Sequence, residues 1–262
     1  MTGGPRSLVA RLDNAGDVLL AGPAVRAIAA GSTHVTFLAG PGGAEAAGLL
    51  PGVDEVVVFD APWVPPTDRG FDRAATDRLV EVIRARQVDE AAILASYHQS
   101  PLPLALLLRL AGVDRIAAVS VAHAGALLDH RIEPPEDDRR PGPHEVERNL
   151  AVAAALGHHL PEGDGRALRL RPLPLATPPV DGPYVVVHPG ASVPARGIPM
   201  DVARDAVPLL VALGWSVVVT GGPDERALTA AVAGTHHERV VDLGGQGALV
   251  ALAGVLAGAS AV

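Results

Sequence analysis

Short apolar runs alternate with longer helix-compatible stretches, and this pattern occurs twice along the chain. It is the signature of a parallel sheet with crossover helices, whose strands are covered on both faces and therefore read as near-continuous Val, Ile, Leu and Ala. In the first half, strands are expected at 7–11, 34–39, 55–59, 90–95 and 115–120, with helices at 17–30, 43–50, 72–87 and 103–111. The helix after Asp72 is the clearest. Ala75, Leu79, Val82 and Ile83 fall on one face, while Asp77, Arg78, Glu81, Arg84 and Arg86 stay outside it.

The pattern stops after Ser120. Residues 133–143 are charged and rich in proline, so neither helix nor strand propagates through them. A helix is expected over 144–156, closed by Gly157, and is followed by a second broken stretch, 158–183, that holds Pro172, Pro174, Pro178 and Pro179. This stretch sets the expected domain boundary, giving domains 1–174 and 175–262. Beyond it the alternation restarts, with strands at 184–188, 215–220 and 239–243 and helices at 200–213, 224–233 and 248–257. A new strand begins at 259–262, so the second sheet is expected to be incomplete.

With 262 residues, 48% of them hydrophobic, the chain has the apolar material for two modest domains and is not disordered. It holds no cysteine and no lysine, which excludes disulfides, thiolate metal sites, Schiff-base lysines and a lysine-dependent phosphate loop. All 21 basic residues are arginines, a bias that fits a GC-rich coding genome. The net charge of -8 and the scattering of these arginines argue against a nucleic-acid partner. No signal-type apolar stretch opens the chain, so a cytoplasmic location is expected. The apolar stretches 102–108 and 247–262 read as buried helices, and the second is also a candidate for peripheral membrane contact. No G-x-G-x-x-G follows a strand, and no His, Asp and Glu cluster has metal-ligand spacing, so neither cofactor nor metal is expected.

Open parallel sheets place ligands at the carboxyl ends of their strands, and three loops there carry chemistry. In Asp13-Asn-Ala-Gly-Asp17, Gly16 suits a tight turn. Asp17 stands where either a helix cap or a catalytic base would stand, and local physics favours the cap. Asp13 reads as a turn or ion-pair residue, with Arg11 or Arg26 as partner. In the loop after the first strand of the second half, His188, Gly190, Ala191, Ser192 and Arg196 offer backbone N–H groups, a hydroxyl and one cation, a set able to hold a diphosphate. The alternative is an ordinary connection with His188 packed in the core and Arg196 solvated. In the third loop, Gly221 and Gly222 allow close backbone approach, and Glu225 either accepts from two ribose hydroxyls or simply starts a helix.

Five segments stand in register along nearly the whole chain: Arg11-Leu-Asp-Asn-Ala-Gly-Asp17 with Pro23 downstream, Val53-Asp-Glu-Val-Val-Val-Phe-Asp60, His144-Glu-Val-Glu-Arg148, His188-Pro-Gly-Ala-Ser192 and Thr220-Gly-Gly-Pro-Asp-Glu225. Together they resemble glycosyltransferase family 9, the ADP-heptose:lipopolysaccharide heptosyltransferases and their relatives. The resemblance implies an α/β protein of GT-B type, with two facing Rossmann-like domains. The amino-terminal domain would bind the acceptor, a glycan or glycolipid hydroxyl, and the carboxy-terminal domain a nucleotide-diphosphate sugar, an ADP-sugar being favoured. It also implies an inverting, metal-independent transfer with Asp17 as base, which reverses the preference for the cap. Arg196 would clamp the donor phosphates, Gly190, Ala191 and Ser192 would contact them, and Glu225 would meet the nucleoside; Gly222 joins the donor-binding set, and Asp13 and His188 are candidates for support.

Two departures from the family pattern are visible. Gly197 and Ile198 stand where the family has a basic residue and tryptophan, and the chain stops before the family's Asp-Thr-Gly-Pro-x-His segment. They imply either that the native gene continues past Val262 or that the donor site is partly missing. Rival readings are a nucleotide-sugar epimerase of the same architecture and a non-catalytic nucleotide-sugar-binding protein.

Overall fold

The apolar runs become parallel strands. The computed structural model describes residues 3–65, 70–96, 99–134, 143–173, 179–191, 194–234 and 238–262. The chain divides into two units, Met1–Arg171 and Pro172–Val262; the boundary expected after residue 174 falls among 174–178, outside the described residues.

In the first unit, β1 (Arg6–Arg11), β2 (His34–Ala39), β3 (Glu55–Val58), β4 (Glu90–Ile93), β5 (Arg115–Val119) and β6 (His130–Ile132) form one parallel sheet in the order β3-β2-β1-β4-β5-β6. The chain runs outward from β1 through β2 to β3, then returns to the other side of β1 as β4 and runs outward again. That reversal puts a topological switch point between β1 and β4. Leu8, Val9 and Ala10 are fully buried in β1 because helices cover both faces. On one face Leu8, Leu38, Ile83, Ile93, Leu104, Leu108 and Ile116 share a core.

The expected helix over 17–30 is two helices, α1 (Ala15–Leu20) and α2 (Gly22–Gly31). Pro23 lacks the N–H that would continue the ladder, which resumes where Val25 donates to the Ala21 carbonyl at 3.0 Å. α3 (Ala44–Leu49), α4 (Arg73–Ala85) and α5 (Leu102–Ala111) follow. Asp72 caps α4 by accepting the Ala75 N–H at 3.0 Å, and Thr76, Leu79 and Ile83 form its buried side. α5 buries Leu104, Ala105, Leu108 and Ala111, as the apolar run implies.

Two parts of this unit were not anticipated. β6 is a short edge strand of half-buried residues, too brief to show a period. The stretch 158–171, read as a broken connection, is fastened to the sheet after α6 (Glu145–Ala155). His158 Nε2 lies 2.5 Å from Glu90 Oε1, and Arg26 donates to Asp164, to the Gly165 carbonyl and to the Ala167 carbonyl.

In the second unit β7 (Tyr184–Val187), β8 (Ser216–Val219) and β9 (Val240–Asp242) form a parallel sheet in that order, with α7 (Met200–Ala212), α8 (Arg226–Ala233) and α9 (Leu249–Gly258). Val185, Val217 and Val219 pack on one face with Ala203, Val207 and Val232, while Tyr184, Val186 and Val218 pack on the other with Val255. The residues expected to start a strand pair with the free side of β7: Ser260 donates to the Tyr184 carbonyl and Val186 to the Ala261 carbonyl, at 2.8 and 2.9 Å. α9 corrects the expectation of a buried helix. Only Val255 of this helix is buried, where it packs against Tyr184, Val186 and Val218. Among the described residues no helix is long and apolar enough to cross a membrane.

Candidate active site

The switch point of the larger sheet is filled by a charged cluster built on Arg11, the last residue of β1. A buried guanidinium persists only when paired, and Arg11 is fully buried among three carboxylates. Its Nε lies 2.6 Å from Asp13 Oδ2, and its Nη2 lies 2.5 Å from Glu145 Oε1 and 3.4 Å from Asp17 Oδ1. Nη2 also donates to Ser96 Oγ at 2.8 Å, and Ser96 Oγ donates to Asp13 Oδ2 at 3.0 Å. Gln99 Nε2 donates to the other Asp13 oxygen.

These contacts give the carboxylates different roles. Asp13 is buried and taken up by Arg11, Ser96 and Gln99, so it supports the cluster; the alternative partner considered for it, Arg26, is bound to Asp164 instead. Asp17 is the loosely held member, its side chain 34% exposed and its one ion pair among the described residues, to Arg11, at 3.4 Å. It does not cap α1, which corrects the reading favoured by local physics. The N-cap is Asn14, and Asp17 lies inside the first turn. An accessible carboxylate with weak pairing is the one fit to accept a proton.

Sequence reasoning assigned no role to Ser96, Gln99 or Glu145. Ser96 and Gln99 follow β4, the strand across the switch point from β1, and the sheet order was the signal that would have marked them. Glu145 arrives from the first turn of α6, far away in sequence. Beside the cluster, Leu12, Asp13, Asn14, Pro41, Gly42, Asp60, Ala61 and Gln99 line part of a cavity of about 350 Å³. It is large enough for a sugar-sized group.

In the second unit, glycines again gather at the carboxyl ends of the strands. A Cβ at Gly190 would lie 1.8 Å from Glu225 Oε1, so the Glu225 carboxylate rests against bare backbone of the loop after β7 and would have to swing aside for a larger residue. Glu225 Oε2 accepts the Gly222 N–H at 2.6 Å, the arrangement of a helix start, while Oε1 faces Gly190. The alternative of a core-packed His188 is corrected: the residue is exposed, and its Nδ1 lies 2.9 Å from Thr220 Oγ1, tying the loops after β7 and β8 together. Ile198 donates to the Pro189 carbonyl at 2.9 Å, closing the loop that holds Ala191 and Arg196. Arg196 is exposed and makes no ion pair among the described residues. Ser192 lies outside the described residues. The structure thus gathers Asp13 and Asp17 in one unit and His188, Gly190, Gly222 and Glu225 in the other.

No protein-family model and no curated protein matches the chain. Solved structures do. A glycosyltransferase family 9 protein from Veillonella parvula matches with a TM-score of 0.75 at 16% identity, covering 98% of this chain and 74% of that one. ADP-heptose LPS heptosyltransferase II of E. coli matches with a TM-score of 0.72 at 18% identity, over 97% of this chain and 77% of that one. E. coli heptosyltransferase WaaC with ADP-2-deoxy-2-fluoro heptose matches with a TM-score of 0.72 at 22% identity, over 97% and 80%. The chain therefore has the α/β fold of glycosyltransferase family 9 and heptosyltransferase structures.

Proposed function

We infer that this protein is a glycosyltransferase that moves a sugar from a nucleoside diphosphate to a hydroxyl of a glycan or glycolipid acceptor, with inversion and without a metal ion. The observation that carries the reading is the accessible Asp17 carboxylate at the switch point of a sheet whose fold is that of sugar-nucleotide transferases. Asp17 takes the proton of the acceptor hydroxyl as that oxygen attacks the anomeric carbon. The bond from that carbon to the diphosphate oxygen breaks, and the nucleoside diphosphate leaves with the bonding pair.

The first unit serves the acceptor and the second the donor. Arg196, exposed on a short turn, suits the developing charge of the diphosphate, since a guanidinium can hold two phosphate oxygens at once. The backbone N–H groups around Gly190, Ala191 and Ser192 add to that stabilisation. Glu225 has an oxygen facing Gly190 and suits ribose hydroxyls, with Gly222 giving close backbone approach. Asp13 holds Arg11 in place, and His188 fixes the donor loops to each other. ADP-heptose and ADP-2-deoxy-2-fluoro heptose, named with the two E. coli structures, make an ADP-sugar the first donor to test.

Thermal unfolding with ADP-, GDP-, UDP- and TDP-sugars, followed by product analysis with an acceptor panel, tests this reading. Stabilisation by an ADP-sugar together with inverted transfer product is expected. Stabilisation without transfer to any acceptor would favour a non-catalytic binder, and free epimerised sugar without acceptor would favour an epimerase.

A further inference from the structure

One nitrogen of Arg11 serves two carboxylates. Nη2 donates to Ser96 Oγ at 2.8 Å and lies 2.5 Å from Glu145 Oε1 but 3.4 Å from Asp17 Oδ1, so Glu145 is its nearer counter-charge and Asp17 the more distant one. The Glu145 side chain is only 20% exposed, and its second oxygen lies 3.8 Å from Arg148 Nη2, one turn along α6. A carboxylate closed on a guanidinium is a poor proton acceptor, because protonating it breaks a charge-assisted pair.

We propose that Glu145 is a positioning residue that keeps Arg11 engaged away from Asp17, so that Asp17 retains the basicity needed to take a proton from the acceptor hydroxyl. This deepens the role given to Asp17 and rests on the glycosyl-transfer reading. Removing the Glu145 charge leaves Nη2, still held by Ser96, with Asp17 as its facing carboxylate, and removes a neighbouring negative charge. Both changes favour the ionised form of Asp17 and weaken it as a base.

The charged groups facing Asp17 act consistently with this. From β1 and its loop come Arg11 and Asp13, and Asp13 is bound to Nε, so it does not compete for Nη2. From α6 come Glu145 and Arg148. On the helices packed against α1, Arg26 of α2 is bound to Asp164 and Glu45 of α3 has an interaction of its own.

The test uses Glu145→Gln, which keeps shape and loses charge, and Glu145→Asp, which keeps charge. In the full chain without substrate, a carbon-13 NMR titration follows the Asp17 carboxyl; in parallel, ADP release from ADP-heptose gives the pH–rate profile with the best acceptor. In E145Q the Asp17 titration is expected to move about one pH unit lower. The acid limb of kcat should follow it, and kcat should fall about tenfold with donor KM unchanged. E145D should restore most of both, which a purely structural role would not give. If E145Q does not fold, E145D alone should show a smaller shift in the same direction. An unmoved Asp17 titration in a folded variant overturns the proposal whatever the activity. A moved titration in a protein with no turnover overturns the glycosyl-transfer reading instead, and with it the catalytic purpose of the coupling.

Discussion

Gly190 shows how one missing side chain can define a site. The Glu225 carboxylate occupies the space a Cβ would need, and the same carboxylate accepts the Gly222 N–H. Gly190→Ala therefore pushes the Glu225 carboxylate, the end of a flexible side chain, off the Gly222 N–H, at a cost of about 1 kcal/mol, that of one hydrogen bond. Urea unfolding should show this loss, and stabilisation by an ADP-sugar should fall with it; an unchanged midpoint and unchanged donor stabilisation would contradict the arrangement. That the loops holding Gly190 and Glu225 each follow a strand was legible in the sequence. Glu145 was not. Its approach to Arg11 joins residues more than a hundred positions apart, and only the packing of α6 brings them together. Asp17 was misread for a local reason: α1 begins at Ala15 with Asn14 at its N-cap, earlier than the expected start at 17, so the acid stands inside the first turn and not at the cap.

At the level of elements, the stretch 158–171 illustrates what composition conceals. Its one proline and two glycines read as a connection, yet Arg26 on α2 holds it with bonds to Asp164 and to two carbonyls. The hydrogen bond from Arg26 keeps the Asp164 carboxyl below the usual aspartate range. A carboxyl lowered by folding stabilises the fold above its unfolded value and loses that contribution as pH falls through the folded one. Amide-exchange protection of residues 164–171 is thus expected to hold at neutral pH and to fall below about pH 4, the usual aspartate range. Protection that persists unchanged to pH 2 would show that the pairing does not secure this stretch. The elements read correctly from sequence include β1 to β5, which are short, largely apolar runs, and α4, which has a strong helical period and a clear cap. β6 lacks any period, and the break between α1 and α2 depends on Pro23 inside an otherwise helical apolar run.

Across the whole molecule, the double alternation of strands and helices was enough to indicate two parallel sheets, because a strand buried on both faces has to be apolar throughout. The order β3-β2-β1-β4-β5-β6 was not readable, since apolar strands carry little to distinguish one neighbour from another. That order matters most for function: it brings the loops after β1 and β4 together and so builds the Arg11 cluster. The central claim is that Asp17, at that junction, is the base of a sugar transfer. The most direct measurement is the transfer rate from an ADP-sugar by the wild-type protein and by Asp17→Asn, which keeps the size of the side chain but cannot take the proton. With Asp17 as the base, the variant is expected to unfold at the wild-type temperature and to transfer at least about a hundredfold more slowly. A variant that transfers as fast as the wild type would contradict it.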